Sequence, residues 1–232
     1  MAICIIPARG GSKRIPRKNI RPFCGRPMIE WSIDAARRSD CFDKIVVSTD
    51  DPQIAEVAVA AGAEAPFLRS AALSDDYTPT APVLADAIQR LGVPDQTPVC
   101  CLYATAPFVR AEDLQAGLNS LKETGARFVV SVTTFAFPIQ RALLRDDQGR
   151  ISMIDPERIL ARSQDLPQGW HDCGQFYWAL AKTWQESDKG IFSEGALGVE
   201  IPRYRVQDID TLEDWARAEI IKEVLDRGDN MA

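Results

Sequence analysis

Residues 44–62 read KIVVSTDDPQIAEVAVAAG, and their reading decides the fold. The run 44–49 is rich in β-branched residues, the composition of a strand. Asp51 stands where a helix N-cap belongs, Pro52 suits the first helical turn, and Gly62 falls just past the last apolar residue. The spacing predicts a strand over 44–49 and a helix over 51–61. The same alternation extends outward in both directions. Residues 3–6 read as a buried first strand and 28–38 as a helix. Downstream come a helix over 83–91, a continuous apolar strand over 99–103, a helix over 112–123 and a strand over 128–132. Repeated strand–helix units predict an α/β fold: a mostly parallel central sheet flanked by helices, with right-handed crossovers.

The pattern breaks over 135–170, a polar stretch with three prolines and little periodicity. It is too long for an ordinary connection in a compact domain. An inserted arm that packs on a second subunit would explain it, and so would a long mobile lid. The α/β pattern resumes at 175–180 (QFYWAL), and a last helix runs from about 212 to 227, with apolar Leu212, Trp215, Ile220, Val224 and Leu225. The expectation is one domain over 1–232 carrying an inserted arm over 135–170.

Composition narrows the function. The chain has 232 residues, 46% of them hydrophobic, and a formal charge of -6. That balance argues against a general nucleic-acid binder but allows a local basic site for a small anion. The six cysteines form no C-x-x-C pair, so buried free thiols in a reducing compartment are expected rather than zinc. The short apolar stretch 2–8 lacks preceding basic residues, and no apolar run approaches a membrane span. A cytoplasmic protein without a membrane partner is expected.

The segment directly after the first strand is Arg9-Gly10-Gly11-Ser12-Lys13-Arg14-Ile15-Pro16-Arg17-Lys18-Asn19. Between Arg9 and Arg26 there are seven basic residues and no acidic one. A triphosphate would account for this: glycines let backbone N–H groups approach phosphate oxygens, and Arg9, Lys13 and Lys18 add charge. A solvated basic loop is the plainer alternative. The segment is neither G-x-x-x-x-G-K-[ST] nor G-x-G-x-x-G, which disfavours a P-loop ATPase and a dinucleotide dehydrogenase.

The second constellation is Gln207-Asp208-Ile209-Asp210-Thr211. On an extended segment Asp208 and Asp210 point to one side. Two carboxylates at a strand-to-helix junction suit Mg²⁺, which takes one or two carboxylates plus phosphate oxygens and water. An ordinary acidic helix cap reads the same residues differently.

Together these segments resemble the CMP-sialic acid synthetase (acylneuraminate cytidylyltransferase) family. The carrying residues are Ala8-Arg9-Gly10-Gly11-Ser12-Lys13 with Lys18-Asn19, then Val47-Ser48-Thr49-Asp50, then Asp208-Ile209-Asp210-Thr211. Leu102 to Phe108, Phe137 to Arg141 and His171 to Trp178 resemble its pseudaminic-acid branch. Relatives acting on N-acetylneuraminate typically carry glutamine where this chain has Tyr103, and often arginine where it has His171. The resemblance implies a nucleotidyltransferase fold, like that of nucleotide-diphospho-sugar transferases. It implies a homodimer formed through the arm, and transfer of CMP from CTP to a nine-carbon sugar acid with Mg²⁺ on Asp208 and Asp210. It places Arg9, Lys13 and Lys18 at the phosphates, and Gly10, Gly11, Ser12, Asn19, Arg69, Thr78 and Thr80 around the nucleotide. Tyr103, Thr105, Arg162, His171 and Gln175 fall to the sugar. His171, the single histidine, is a candidate general base or a structural residue.

Legionaminate, N-acetylneuraminate and Kdo are the alternative acids. A nucleotide-sugar-dependent glycosyltransferase could also use D-x-D, but a triphosphate suits the basic loop better. A non-catalytic nucleotide-binding module is the third class.

Overall fold

Alternate residues of the first strand enter opposite cores, and the sheet grows outward from it. The computed structural model describes residues 2–186 and 190–229. In chain order the sheet strands and helices begin with β1 (Ile3–Pro7), β2 (Pro22–Phe23), β3 (Arg26–Pro27), α1 (Met28–Arg38), β4 (Lys44–Ser48) and α2 (Pro52–Ala60). They continue with α3 (Thr80–Leu91), β5 (Pro98–Leu102), α4 (Ala111–Thr124), β6 (Phe128–Thr134), β7 (Leu143–Arg145) and β8 (Ile151–Met153). Last come β9 (Trp170–Leu180), α5 (Ala181–Gln185), β10 (Ala196–Glu200) and α6 (Leu212–Asp229).

Six strands form one sheet in the order β10-β6-β9-β5-β1-β4. The pairs β1/β4, β1/β5 and β6/β10 are parallel, as the strand–helix alternation predicted. β9 runs antiparallel to both β5 and β6, a direction periodicity alone did not reveal. The reason lies in the excursion. The chain leaves β6 at Thr134 and returns with Trp170 paired to Thr134. No long crossover helix intervenes to carry it back to the far end, so it returns as a wide hairpin. β10 was not anticipated either; it adds the outer edge strand.

One face buries Ile29, Ile33, Ile54, Leu114 and Leu118 from α1, α2 and α4. The other buries Leu84, Ile88 and Trp184 from α3 and α5. A third cluster packs Trp215 and Ala218 of α6 on Phe23, Phe108 and Ile209. Only that face of α6 is covered; Leu212, Ile220 and Val224, apolar in the sequence, are exposed. All six cysteines are free, four buried and Cys24 and Cys41 partly exposed. Among the described residues no helix is long and apolar enough to cross a membrane.

Residues 135–169 leave the sheet as an arm. Its β7–β8 hairpin and flanking turns expose Phe137, Leu143, Leu144, Ile159 and Leu160.

Candidate active site

The loop after β1 is held from behind. Asp51 caps α2 by accepting the N–H groups of Gln53 at 2.8 Å and Ile54 at 3.3 Å, as its position in the sequence predicted. Its other oxygen receives Arg17 Nη1 at 2.8 Å, and Arg17 Nη2 reaches Gln53 at 2.6 Å. Gly10 donates its N–H to Asp50 at 2.9 Å, and a Cβ added there would lie 2.8 Å from Asp51 Oδ2. Gly10 is therefore required by close approach to Asp51, whereas a Cβ on Gly11 would meet nothing within 4 Å. Buried Asn19 donates Nδ2 to the Arg9 carbonyl at 2.9 Å and closes the loop on itself.

This scaffold presents Arg9, Ser12, Lys13, Arg14, Lys18 and Asn19 to a cavity of about 380 Å³. Gly10 and Gly11 shape the loop without lining the cavity. Arg69, Asp75, Asp76, Thr78 and Thr80 supply the opposite wall, with Tyr103 and Thr105 at one end. Asp76 pairs with both Arg9 and Lys13, which together hold its carboxyl below the usual carboxylate range. Asp75 organises the wall by accepting the Thr78 N–H and hydroxyl, each at 2.7 Å.

A second cavity of about 250 Å³ adjoins the first, and Tyr103 and Thr105 line both. It is shaped by an irregularity in β9. The pairing with β6 jumps from Val130↔Tyr177 to Val132↔Asp172, so the stretch between bulges off the ladder with Gly174 at φ 61°. That turns Asp172, Cys173, Gly174 and Gln175 toward the cavity, with Tyr177, Gln207 and Asp208 beside them. Buried Gln175 donates Nε2 to the Arg205 carbonyl at 2.7 Å, while its Oε1 has no partner. Tyr103 bonds Thr80 Oγ1 at 2.9 Å, and burial pushes its hydroxyl up to about 12. Among the described residues no Lys, Arg or His lines this second cavity.

The two cavities thus differ in charge, with a basic loop along the first and Asp172 and Asp208 in the second. The sequence profile of cytidylyltransferases matches residues 3–182. The chain belongs to the cytidylyltransferase family. It is 44% identical over 224 residues, 96% of each chain, to a Campylobacter jejuni protein named pseudaminic acid cytidylyltransferase. It is 35% identical, again over 96% of each chain, to a CMP-N,N'-diacetyllegionaminic acid synthase of Legionella pneumophila. Among solved structures, a CMP:2-keto-3-deoxy-manno-octonic acid synthetase complexed with CTP shares the fold. Its TM-score is 0.70 at 17% identity, covering 96% of this chain and 98% of that one.

In this cytidylyltransferase the D-x-D segment sits between the cavities. Asp210 lines the first and Asp208 the second. Neither caps α6. Thr211 Oγ1 accepts the Asp214 N–H at 3.1 Å, and Asp214 accepts the Thr211 N–H at 2.8 Å, a reciprocal box that frees both upstream carboxylates. Arg14 approaches Asp210 at 2.8 Å and Lys18 at 3.5 Å, while Lys18 also donates to the Ile209 carbonyl at 2.7 Å. Burial and then Asp210 push the Asp208 carboxyl up. Two neighbouring carboxylates beside a phosphate-sized basic loop fit a hard cation. Among the described residues no three acidic, Cys or His groups cluster as metal ligands, so phosphate oxygens and water would complete its shell.

Two sugar candidates lie elsewhere. Arg162 is exposed on the arm and paired with Asp165 at 2.7 Å. His171 bonds the Asp172 carbonyl at 2.9 Å and packs on Phe135, 4.7 Å between ring centres. Trp178 is core, stacked on Phe42. Tyr177 is buried and donates its hydroxyl to Asp172. Sequence reasoning passed over Asp172, Arg14 and Asp76. Of these, Arg14 carried a signal in its place in the basic loop and Asp172 in its place within the segment His171 to Trp178, while Asp76 carried none.

Proposed function

We propose that this cytidylyltransferase joins CMP from CTP to the anomeric hydroxyl of pseudaminic acid, a nine-carbon 2-keto sugar acid, and releases pyrophosphate. The observation that carries the sugar is the 44% identity with the pseudaminic acid cytidylyltransferase, against 35% with the legionaminic acid synthase. The adjoining cavities supply the geometry.

CTP lies in the first cavity with its phosphates along the loop. Arg9, Lys13 and Lys18 offset phosphate charge, while Arg69, Thr78 and Thr80 wall the nucleoside. The sugar lies in the second cavity beside Tyr103, Thr105 and Gln175. Its anomeric oxygen forms a bond to the α-phosphorus as the bond to the bridging pyrophosphate oxygen breaks, and the hydroxyl proton passes to a base. Such catalysis rests on positioning and electrostatics, with no protein nucleophile. Asp208 and Asp210 would hold Mg²⁺, which would supply neutralisation of phosphate charge there.

The working enzyme is a homodimer in this reading. The absence of any cation among the described residues lining the second cavity supports it, because the sugar carboxylate needs one. The arm offers Arg162 and an exposed apolar surface to a second copy. Six free thiols favour a reducing compartment, hence the cytoplasm.

Pyrophosphate release from CTP and Mg²⁺, measured with pseudaminate, legionaminate, N-acetylneuraminate and Kdo, tests the reading. Release with pseudaminate far above the others is expected. Preference for another acid overturns the sugar assignment and keeps the reaction. No release from folded, CTP-binding protein overturns the reaction.

A further inference from the structure

Asp172 stands in the second cavity without a role in the loop, the metal pair or the arm. Its Oδ1 accepts the Gly174 N–H at 2.9 Å, and its Oδ2 accepts the Tyr177 hydroxyl at 2.5 Å. Two donors of β9, Gly174 in the bulge and Tyr177 on the ladder beyond it, thus fix its orientation. Among the described residues no cationic side chain lines the cavity to neutralise it. Its field reaches its neighbours: burial first, then the Asp172 charge, pushes the Cys173 thiol up to about 12.

Charge decides which end of a sugar acid can face this group. Asp208 is the other carboxylate of the same cavity, so a third negative charge placed against Asp172 is opposed by both. In a 2-keto sugar acid the carboxylate and the anomeric hydroxyl share one carbon. The hydroxyl must face the phosphorus in the first cavity, so the carboxylate also stays at the junction of the two cavities. The remote end of the sugar, with neutral N–H and O–H groups, is left opposite Asp172. A fixed carboxylate accepts from such donors and rejects anions and lone acceptors.

We propose that Asp172 is a specificity-determining residue that accepts a hydrogen bond from a neutral donor at the end of the sugar remote from its carboxylate, and that Tyr177 is the positioning residue that aims it. The inference rests on the sugar-acid reading above.

The test compares wild type, Asp172→Asn and Tyr177→Phe, with pseudaminate and CTP varied separately and a thermal melt of each protein. Asp172→Asn is expected to raise the KM for pseudaminate about 10- to 100-fold, the scale of a hydrogen bond to a charged group. The KM for CTP and the melting temperature should stay at wild-type values. Tyr177→Phe, which keeps the ring, should raise the same KM by less. An unchanged sugar KM in folded Asp172→Asn overturns the proposal, as does equal damage to both substrates' KM. If Asp172→Asn does not fold, Tyr177→Phe decides, and an unchanged sugar KM there overturns it. Should wild type prefer another acid of the panel, that acid replaces pseudaminate, and the sugar assignment fails alone. Should wild type turn over none, both readings fall.

Discussion

Asp208 and Asp210 carry a cost that helix capping does not explain, since Thr211 and Asp214 cap α6 themselves. Burial and Asp210 raise the Asp208 carboxyl, so the folded protein holds that proton more tightly than the unfolded chain. Its contribution to stability is therefore best below the ordinary carboxylate pKa and is lost as pH rises through the raised one. Replacing Asp208 with Asn removes the repulsion. At neutral pH the variant should melt no lower than wild type, while kcat with Mg²⁺ falls by roughly 100-fold or more, as when charge stabilisation at phosphate is lost. A parallel fall of melting temperature and activity would instead mark a structural role. The glycines give a second contrast. Gly10→Ala would drive a Cβ to 2.9 Å from Asp51 Cβ and disturb the α2 cap, costing about 1–3 kcal/mol. Gly11→Ala has open space and should leave the denaturation midpoint in place. Paired urea titrations read both.

Elements were legible where local signals matched their tertiary setting. The Asp51 cap, Pro52 and the 28–38 helix emerge as read, because their determinants lie within one turn of themselves. The direction of β9 was not legible, since it depends on the return path of the arm. Nor was the bulge that turns Asp172 and Gln175 toward the sugar cavity, because QFYWAL reads equally well as core. Arg162 and His171 illustrate the same gap: motif order ranks residues but does not say what they face. Arg205 is another long-range determinant. Its guanidinium pairs with Asp113 in α4, both side chains only 8% exposed, with Arg205 Nη2 at 2.9 Å from Asp113 Oδ1. The pair anchors the segment that leads to Asp208 onto the start of α4. Arg205→Ala leaves Asp113 buried without its partner and should cost about 3–5 kcal/mol in chemical denaturation. A loss under 1 kcal/mol would show that water replaces the guanidinium, as at an exposed pair.

At the scale of the molecule, the two cavities differ in completeness. The first gathers its cations from one chain: Arg9, Lys13, Arg14, Lys18 and Arg69 all line it. Among the described residues the second has carboxylates and amides but no cation, although it is assigned an anionic substrate. The arm has the opposite imbalance. Leu160 is 91% exposed and Phe137 82%, on a segment that contributes little to the sheet cores. An apolar surface held away from its own core is better explained by a second copy than by solvent. Leu160→Asp should therefore shift sedimentation from dimer to monomer while the sheet cores, and the melting of the CTP-bound protein, change little. Because the nucleotide cavity belongs to one chain, the KM for CTP should stay near wild type. The sugar KM should rise about 10-fold or more, as expected when a charged partner is withdrawn from a carboxylate. A monomeric variant with both KM values intact would place the sugar's cation within one chain and return the arm to the reading of a lid.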